Sequence, residues 1–305
     1  MGAALLYYII IKPLSLLPIR ILHGLSYLVY LLVYTLLGYR TKVVYSNLTH
    51  SFPEKSKKEL KVIMSKFYLH LCDLIVESIK GFSISHRAVE KRMKFKNMEI
   101  VEKLHREGTH LVVAGGHYGN WELFALAIGK ATAYSPLALY TPIASEFFNK
   151  KFLKSRGKYG LKLLSVKEIR SKMEKLMDEQ YMVIFGSDQS PRKSQRAYWT
   201  NFLNQETGVQ FGAEKIAVEF NAAVVFFNIY KVKRGYYEVD CVLICEAARE
   251  AEYGYITEMH TKLLESVIRK QPEFWLWSHK RWKHSRPEDV ALLNNFTLSD
   301  LPKSS

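Results

Sequence analysis

Two residues that could exchange a proton with a substrate, His117 and Glu122, lie five positions apart in the segment AGGHYGNWELFALAIG. On an ideal helix that separation is about 140°, so the two side chains cannot face one point from the middle of a helix. They can meet if His117 lies in a turn and Glu122 lies in the first turns of the following helix. The carboxylate would then orient one imidazole nitrogen, leaving the other to take a proton from an alcohol. The spacing therefore predicts His117 as a general base and Glu122 as its partner.

The glycines around this pair favour a tight turn between a strand and a helix. Gly115, Gly116 and Gly119 can adopt backbone conformations that other residues avoid. The apolar run HLVVAGG predicts a short buried strand before the turn, and WELFALAIG predicts a helix after it. The motif contains no cysteine or serine that could act as a nucleophile. It is therefore a candidate proton-transfer site at a strand-to-helix junction.

The elements around the motif alternate between short apolar strands and helices. Strands are predicted over 110–116, 136–140, 161–166, 181–186, 222–232 and 236–245, with a hairpin turn over 233–235. Helices are predicted over 55–80, 121–129, 145–158, 167–179, 210–220 and 255–270, and a polar loop over 188–206. This alternation predicts an α/β fold, whose β-sheet is mixed because of the late hairpin and is flanked by helices.

The N-terminal segment is very apolar over residues 4–37, although Lys12, Arg20 and two prolines interrupt it. It could span a membrane once, lie partly embedded in one leaflet, or pack as a hydrophobic hairpin on the domain, with a buried core helix as the remaining alternative. Its tyrosines and flanking cations favour a membrane interface. We therefore divide the chain into an N-terminal membrane-anchoring segment with a hydrophobic helix, residues 1–40, and a globular domain, residues 41–305.

The chain is strongly basic, with 44 Lys and Arg against 29 Asp and Glu and a net charge of +15. Such an excess favours acidic partners, which include anionic lipid headgroups, phosphorylated substrates, an acidic carrier protein and nucleic acid. Nucleic acid is disfavoured because the basic residues are spread along the chain and the sequence carries no zinc-finger or RNA-binding signature. The three cysteines form neither a disulfide framework nor a metal-ligand set and indicate a reducing compartment.

The context Gly-Gly-His-Tyr-Gly-Asn-Trp-Glu is more specific than the His/Glu pair alone. With it, the chain resembles the bacterial late acyltransferases of lipid A biosynthesis, the lauroyl/myristoyl transferase family, whose motif is H-x-x-x-x-E. The broader glycerolipid acyltransferases usually carry Asp where this chain has Glu122. Further blocks resemble the same family in the same order: GYR, NL and SFPE within 38–54, Arg156 with Gly160, Gly186-Ser187-Asp188-Gln189 with Phe211-Gly212, and WLWSHKRWK over 275–283. The last block departs from the family in one residue, Lys280, where Arg is commoner.

The resemblance implies transfer of an acyl group from acyl carrier protein, or less often coenzyme A, to a hydroxyl of a Kdo-bearing lipid A precursor. It also implies a glycerolipid-acyltransferase-like fold, no cofactor, no metal and a place at the cytoplasmic face of the inner membrane. Attack of a hydroxyl on a thioester needs no covalent enzyme intermediate. The acidic carrier protein, the phosphorylated acceptor and the anionic membrane would each account for part of the basic charge.

Four residues besides the His/Glu pair are expected to contact substrate. Arg156 could bind a phosphate of the acceptor or of the carrier's phosphopantetheine arm, or be a solvated helix arginine. Asp188 could hold Arg156 or acceptor groups, or cap a helix. Asn120 is interpreted mainly as part of the motif's scaffold, and Gly116 as part of its turn.

Two other functions stay open at this point. The first is an acyltransferase whose acceptor is a lysophospholipid, an aminolipid or another glycolipid. The second is a basic lipid-binding protein in which the His/Glu pair is unused. The tryptophan-rich segment 275–283 is predicted either as a membrane-interface edge or as a packed C-terminal segment.

Overall fold

A seven-stranded sheet lies at the centre of the computed structural model, which describes residues 2–169, 171–172 and 179–302. The strands of the protein are β1 (Met93–Lys96), β2 (Leu111–Gly115), β3 (Ser135–Tyr140), β4 (Lys162–Ser165), β5 (Tyr181–Gly186), β6 (Tyr198–Phe202), β7 (Gln205–Val209), β8 (Ala223–Lys233) and β9 (Tyr236–Cys245). The sheet has the order β1-β9-β8-β2-β5-β3-β4, while β6 and β7 form a separate hairpin. Neighbours in the sheet are parallel except β8 and β9, which confirms the α/β class and the mixed sheet.

Strand β2 lies between β8 and β5, and its side chains alternate between two hydrophobic cores. Val112 and Ala114 belong to one core, whereas Leu111 and Val113 belong to the other. Because both faces of this strand are buried, its sequence is apolar without interruption. The residues that follow β2 are therefore held at a fixed point on the sheet's edge.

Ten helices pack around the sheet in the described part of the chain. They are α1 (Gly2–Leu16), α2 (Ile19–Leu36), α3 (Thr41–Ser51), α4 (Lys57–Gly81), α5 (His86–Arg92), α6 (Glu99–Arg106), α7 (Trp121–Ala127), α8 (Glu146–Arg156), α9 (Gly212–Phe220) and α10 (Tyr255–Lys270). The predicted strands and helices match the corresponding bounds closely. Helix α3 was not predicted, β1, α5 and α6 lie within 81–108, where the sequence indicates a mixture of loop, strand and helix without bounds, and β6 and β7 form where a loop was predicted. The helix predicted over 167–179 depends on residues 170 and 173–178, which lie outside the described residues.

The prediction of a polar loop over 188–206 is wrong in its second half, where β6 and β7 form an antiparallel hairpin. The segment Tyr-Trp-Thr-Asn-Phe is rich in residues that favour strands. Its turn contains no glycine. Leu203 and Asn204 instead adopt the left-handed conformation, with φ of 52° and 62°. Because the turn lacks the glycine of standard hairpin turns, the sequence pattern does not predict this hairpin.

Helix α4 is the longest helix of the described chain, with 25 residues. It begins at a capping box, in which the Ser56 hydroxyl accepts a hydrogen bond from the Glu59 backbone N–H and the Glu59 carboxylate accepts one from the Ser56 N–H. At 1.5 Å per residue the helix is about 38 Å long. That length lets one helix contact the N-terminal segment and the turn after β2.

The N-terminal segment forms a hairpin of α1 and α2 that packs on α4. The Tyr30 hydroxyl lies 2.9 Å from the Ser65 hydroxyl, and Lys80 Nζ donates to the Ser15 carbonyl at 2.8 Å. The outward faces are apolar and exposed, with Leu36 at 77% and Leu28 at 62%. By length and composition α2 is sufficient to cross a membrane, and this is consistent with membrane association.

The tryptophan-rich segment after α10 is packed into the domain, so the interpretation as a membrane-interface edge does not hold for its tryptophan core. Trp275, Trp277 and Arg281 are each at most 3% exposed. The Asn47 side-chain amide of α3 donates to the Trp277 and His279 carbonyls at 2.9 and 3.0 Å. The segment therefore ties the helix after the N-terminal hairpin to the sheet.

Candidate active site

Two adjacent parallel strands, β2 and β5, deliver the central side chains of the site. His117 follows the end of β2 by two residues, and Asp188 follows the end of β5 by two residues. Gly115 and Gly186 are paired in register, and the Ser187 N–H donates to the Gly115 carbonyl at 2.9 Å. Because the carboxyl ends of parallel strands meet at one edge of a sheet, the two side chains lie side by side.

The Asp188 carboxylate holds His117 through both of its oxygens. His117 Nδ1 lies 2.7 Å from Asp188 Oδ1, and the His117 backbone N–H donates to Asp188 Oδ2 at 2.8 Å. The Trp275 indole N–H also donates to Oδ2, at 2.9 Å. A carboxylate only accepts hydrogen bonds, so the imidazole proton is on Nδ1 and Nε2 is free to accept another.

The charges of Asp188 and His117 shift each other's pKa in opposite directions. Burial alone would raise the pKa of Asp188, but the His117 imidazole and the three hydrogen bonds outweigh it and lower this pKa to about 2. Burial alone would lower the pKa of His117, but the Asp188 carboxylate outweighs it and raises that pKa above its ordinary value. Asp188 therefore stays ionised at neutral pH and makes the imidazole a stronger base.

Glu122 forms no hydrogen bond with the His117 imidazole, so the predicted orientation of the ring by Glu122 is not seen in this geometry, although the Glu122 charge contributes, after that of Asp188, to raising the pKa of His117. Glu122 lies in the first turn of α7 and forms a bidentate ion pair with Arg156 of α8, at 2.9 Å from Nε and 2.5 Å from Nη2. The helix turns Glu122 toward α8, while the paired strand ends bring Asp188 to His117. The expected contact between Asp188 and Arg156 is likewise replaced, because each of the two residues has another partner.

The turn between His117 and α7 is shaped by two residues of the motif. Gly119 has a φ of +63°, and a Cβ atom there would lie 2.6 Å from the Ile229 carbonyl oxygen, so only glycine fits. Asn120 is 1% exposed and caps α7, since its side-chain oxygen accepts from the Leu123 N–H at 2.8 Å. Asn120 therefore belongs to the scaffold, as the sequence mainly indicates, and both ends of its buried amide are occupied by protein groups.

Gly116 also lies in a crowded part of the turn. A Cβ atom at this position would come within 2.8 Å of Leu264 and 3.2 Å of Asp188. Its contribution is therefore close packing beside Asp188, and it also lines the cavity that His117 faces. Gln189, which follows Asp188, places its amide nitrogen 3.5 Å from His117 Nε2 and so brings a polar group to the free imidazole nitrogen.

Two apolar spaces meet beside the site. An inner cavity of about 180 Å³ lies between the sheet and α7, and its lining includes His117, Phe124, Ala138, Leu163, Ile184 and Phe227. An outer groove of about 490 Å³ lies between α1, α4 and α8, and its lining includes Ile11, Leu71, Ile75, Phe82, Ile143 and Phe152. Four residues line both spaces: Trp121, Glu122, Tyr140 and Arg156.

The site can therefore move a proton at the mouth of a mainly apolar cavity. Across residues 2–169, 171–172 and 179–302, no three His, Cys, Asp or Glu side chains are grouped so as to hold a metal ion. The sequence model of a family described as bacterial lipid A biosynthesis acyltransferase matches residues 1–284, a range that includes every residue of this site. No curated protein matches the chain.

Proposed function

Because the chain belongs to the bacterial lipid A biosynthesis acyltransferase family, we propose that it transfers a fatty acyl chain from a thioester donor to a hydroxyl of a Kdo-bearing lipid A precursor. One observation supports the chemistry above all others: His117 has one imidazole nitrogen held by Asp188, while its ring lines an apolar cavity. That arrangement suits a general base acting on an alcohol whose neighbour is a hydrocarbon chain.

The proposed reaction needs one proton carrier and no covalent enzyme intermediate. His117 Nε2 takes the proton of the acceptor hydroxyl as its oxygen attacks the thioester carbonyl carbon. When the tetrahedral intermediate collapses, the carbon–sulfur bond breaks and the leaving sulfur takes that proton from the imidazolium. The products are an ester and a free thiol. Asp188 holds the ring in the required tautomer and stabilises its charged form.

The two apolar spaces give each hydrocarbon chain a place of its own. We assign the donor's acyl chain to the inner cavity, because His117 lines that cavity, and a chain of the acceptor lipid to the outer groove. Trp121 and the Glu122–Arg156 ion pair line both spaces, so they would separate the two chains near the reacting atoms. In this assignment the Glu122 carboxylate keeps Arg156 in place through Nε and Nη2, and the N–H groups of Nη1 are left to bind an acceptor phosphate.

The surface charge supports an acidic donor carrier and an anionic membrane as partners. Lys42, Lys280 and Lys283 surround a surface hollow of about 280 Å³ near the end of the N-terminal hairpin. None of these lysines forms an ion pair with another residue in the described part of the chain. We propose that acyl carrier protein is the donor and that the protein works at the cytoplasmic face of the inner membrane, with the exposed faces of α1 and α2 in the lipid.

The direct test is acyl transfer by the purified full chain in detergent micelles, with acyl carrier protein thioester as the donor. His117→Ala is expected to abolish transfer to the Kdo-bearing precursor. Because it leaves the buried Asp188 carboxylate without its partner, its melting temperature should fall, and circular dichroism at the assay temperature checks that the variant is folded. Unchanged transfer by this variant would end the proposal and favour a lipid-binding protein.

A panel of acceptors tests the choice of substrate separately from the chemistry. The same preparation is offered the lipid A precursor, a lysophospholipid and an aminolipid, and mass spectrometry identifies each product. We expect the lipid A precursor to be acylated at least tenfold faster than the others, a difference of about 1.4 kcal/mol in the barrier. A faster reaction with another acceptor would reassign the substrate while leaving the role of His117 in place.

A further inference from the structure

Helix α4 carries three buried polar side chains, His70, Asp73 and Glu77, at the i, i+3 and i+7 spacing of one helix face. They are each at most 9% exposed, although buried charged residues are uncommon unless they are paired. All three lie between the N-terminal hairpin and the turn that follows His117. Their hydrogen-bond partners show that they connect these two parts.

The first connection runs through Glu77. One oxygen of its carboxylate lies 2.7 Å from His23 Nε2 of α2. The other oxygen accepts from the Asn120 side-chain amide at 2.5 Å and from the Tyr237 hydroxyl at 2.9 Å. Because Asn120 caps α7 with its own side-chain oxygen, a single carboxylate joins the membrane hairpin to the start of that helix.

The second connection runs through Asp73 and His70. Asp73 accepts from the Ser26 hydroxyl of α2 at 2.8 Å and forms ion pairs with Arg234 and Lys231, at 2.6 and 3.4 Å. Lys231 Nζ in turn lies 3.3 Å from His70 Nδ1, and His70 Nε2 lies 3.1 Å from the Gly119 carbonyl oxygen.

The tautomer of His70 follows from these contacts. An ammonium group only donates hydrogen bonds, so His70 Nδ1 accepts from Lys231 and Nε2–H donates to Gly119. Burial, together with Lys231, lowers the pKa of His70 to about 3, so the ring stays neutral. The second connection therefore holds the Gly119 backbone carbonyl of the turn, while the first connection holds the Asn120 side chain.

The two connections reach Gly119 and Asn120, two of the three residues that separate His117 from α7. We propose that Glu77 is a positioning residue that joins the N-terminal hairpin to the Gly119–Asn120 turn and so keeps His117 aligned with its substrates. This inference rests on the proposed function, because it assigns to the hairpin a role in catalysis beyond attachment to the membrane.

The test measures acyl transfer by the Glu77→Gln variant and by the unchanged protein, both as the full chain in detergent micelles. Attachment to a bilayer plays no part in this assay. Glutamine can keep its carbonyl oxygen toward Asn120 and Tyr237, but its amide group then faces His23 as a donor. The variant therefore weakens mainly the connection to the hairpin. We expect kcat to fall about tenfold, as a displaced catalytic group would cause, with little change in the KM for the thioester donor.

A second readout separates positioning from folding. If the turn moves, His117 loses part of its contact with Asp188, and the acid limb of the pH profile of kcat/KM moves to lower pH. His23→Gln, which alters the same connection from the hairpin side, is expected to give both effects and keeps the test valid if Glu77→Gln folds poorly.

Tyr30→Phe is the matched control, because it removes a hydrogen bond between the hairpin and α4 that lies away from the turn. We expect its kcat within twofold of the unchanged protein and its acid limb unmoved. The inference is overturned if Glu77→Gln and His23→Gln keep the unchanged kcat and pH profile, or if Tyr30→Phe reproduces their losses. Activity that survives in His117→Ala would instead refute the proposed function itself.

Discussion

Replacing Asp188 with asparagine keeps the shape of the side chain but changes which atoms accept hydrogen bonds. In the structure Oδ2 accepts two N–H groups, from the His117 backbone and Trp275, whereas Oδ1 faces only His117 Nδ1. The asparagine carbonyl oxygen will therefore occupy the Oδ2 position, and its amide group will face Nδ1. To accept that hydrogen bond, the imidazole must move its proton to Nε2. The variant thus fixes the tautomer that cannot act as a base.

The expected loss of activity is large because the wrong tautomer removes general-base catalysis. A comparable change in a His–Asp pair of another enzyme class lowers kcat by about 10⁴. We expect Asp188→Asn to lower kcat by about 10³ to 10⁴, which corresponds to roughly 4–5.5 kcal/mol of barrier. The remaining activity should persist to lower pH, because the carboxylate that raises the pKa of His117 is gone.

Stability provides an independent measurement of the same carboxylate. The folded pKa of about 2 lies below the unfolded value of about 3.9, so Asp188 stabilises the fold by about 2–3 kcal/mol above pH 4. That contribution is lost as the pH falls through about 2. The melting temperature of Asp188→Asn should therefore lie below that of the unchanged protein at pH 7, and the difference should shrink as the pH approaches 2.

The assay is acyl transfer from the carrier thioester, measured for Asp188→Asn and Glu122→Gln side by side. The reasoning is refuted if Asp188→Asn keeps activity within tenfold while Glu122→Gln loses 10³-fold or more. That result would return the orienting role to the carboxylate five positions after His117, as the spacing of the motif predicts. A melting temperature that is unchanged at pH 7 would separately contradict the ionised, paired state of Asp188.

Three further predictions follow from neighbouring contacts. Glu122→Gln should lower kcat about 10- to 100-fold because it leaves the Arg156 guanidinium without its charged partner, and the double variant with Arg156→Met should recover part of the loss in the same assay. Gly119→Ala should lower the free energy of unfolding by at least about 2 kcal/mol, because Gly119 has a positive φ and lies close to the Ile229 carbonyl. Gly157→Ala, whose new Cβ atom would meet open space, is the control and should change that free energy by less than about 1 kcal/mol in thermal unfolding. Ala138→Phe should fill the inner cavity and shift the preferred donor to shorter acyl chains, which a competition between carrier thioesters of different lengths would detect; an unchanged preference would place the acyl chain elsewhere.

The fold could be predicted from the sequence because its elements depend on local patterns. Short apolar runs ended by glycine give β2 and β5, and the periodic apolar positions of α4 and α10 give helices. The hairpin of β6 and β7 could not be predicted in this way, since Leu203 and Asn204 adopt a conformation that usually requires glycine. The packing of the surrounding strand residues stabilises that turn, and packing is not visible in a local pattern.

The polar face of α4 was missed for a related reason. The apolar residues of this helix are sufficient to predict it, and His70, Asp73 and Glu77 then look like ordinary exposed positions. Their i, i+3, i+7 spacing is a signal only if another part of the chain covers that same face, and the sequence does not show that the N-terminal hairpin packs there. The position of that hairpin depends on contacts with residues about 50 positions later in the chain.

The location of His117 could be predicted from the sequence, but the carboxylate beside it could not be chosen by counting along the chain. Asp188 lies 71 positions after His117, and only the order of strands in the sheet makes them neighbours. A clue was nevertheless present: each residue comes two positions after the last residue of an apolar strand that ends in glycine. When two such strands are adjacent and parallel, the polar residues at equal distances beyond their ends must meet, whatever else lies between them in the sequence. In this chain the strand ends therefore indicate the partner of His117 better than the spacing within one motif does, because the sheet fixes the positions of both residues whereas the short helix α7 directs Glu122 toward α8.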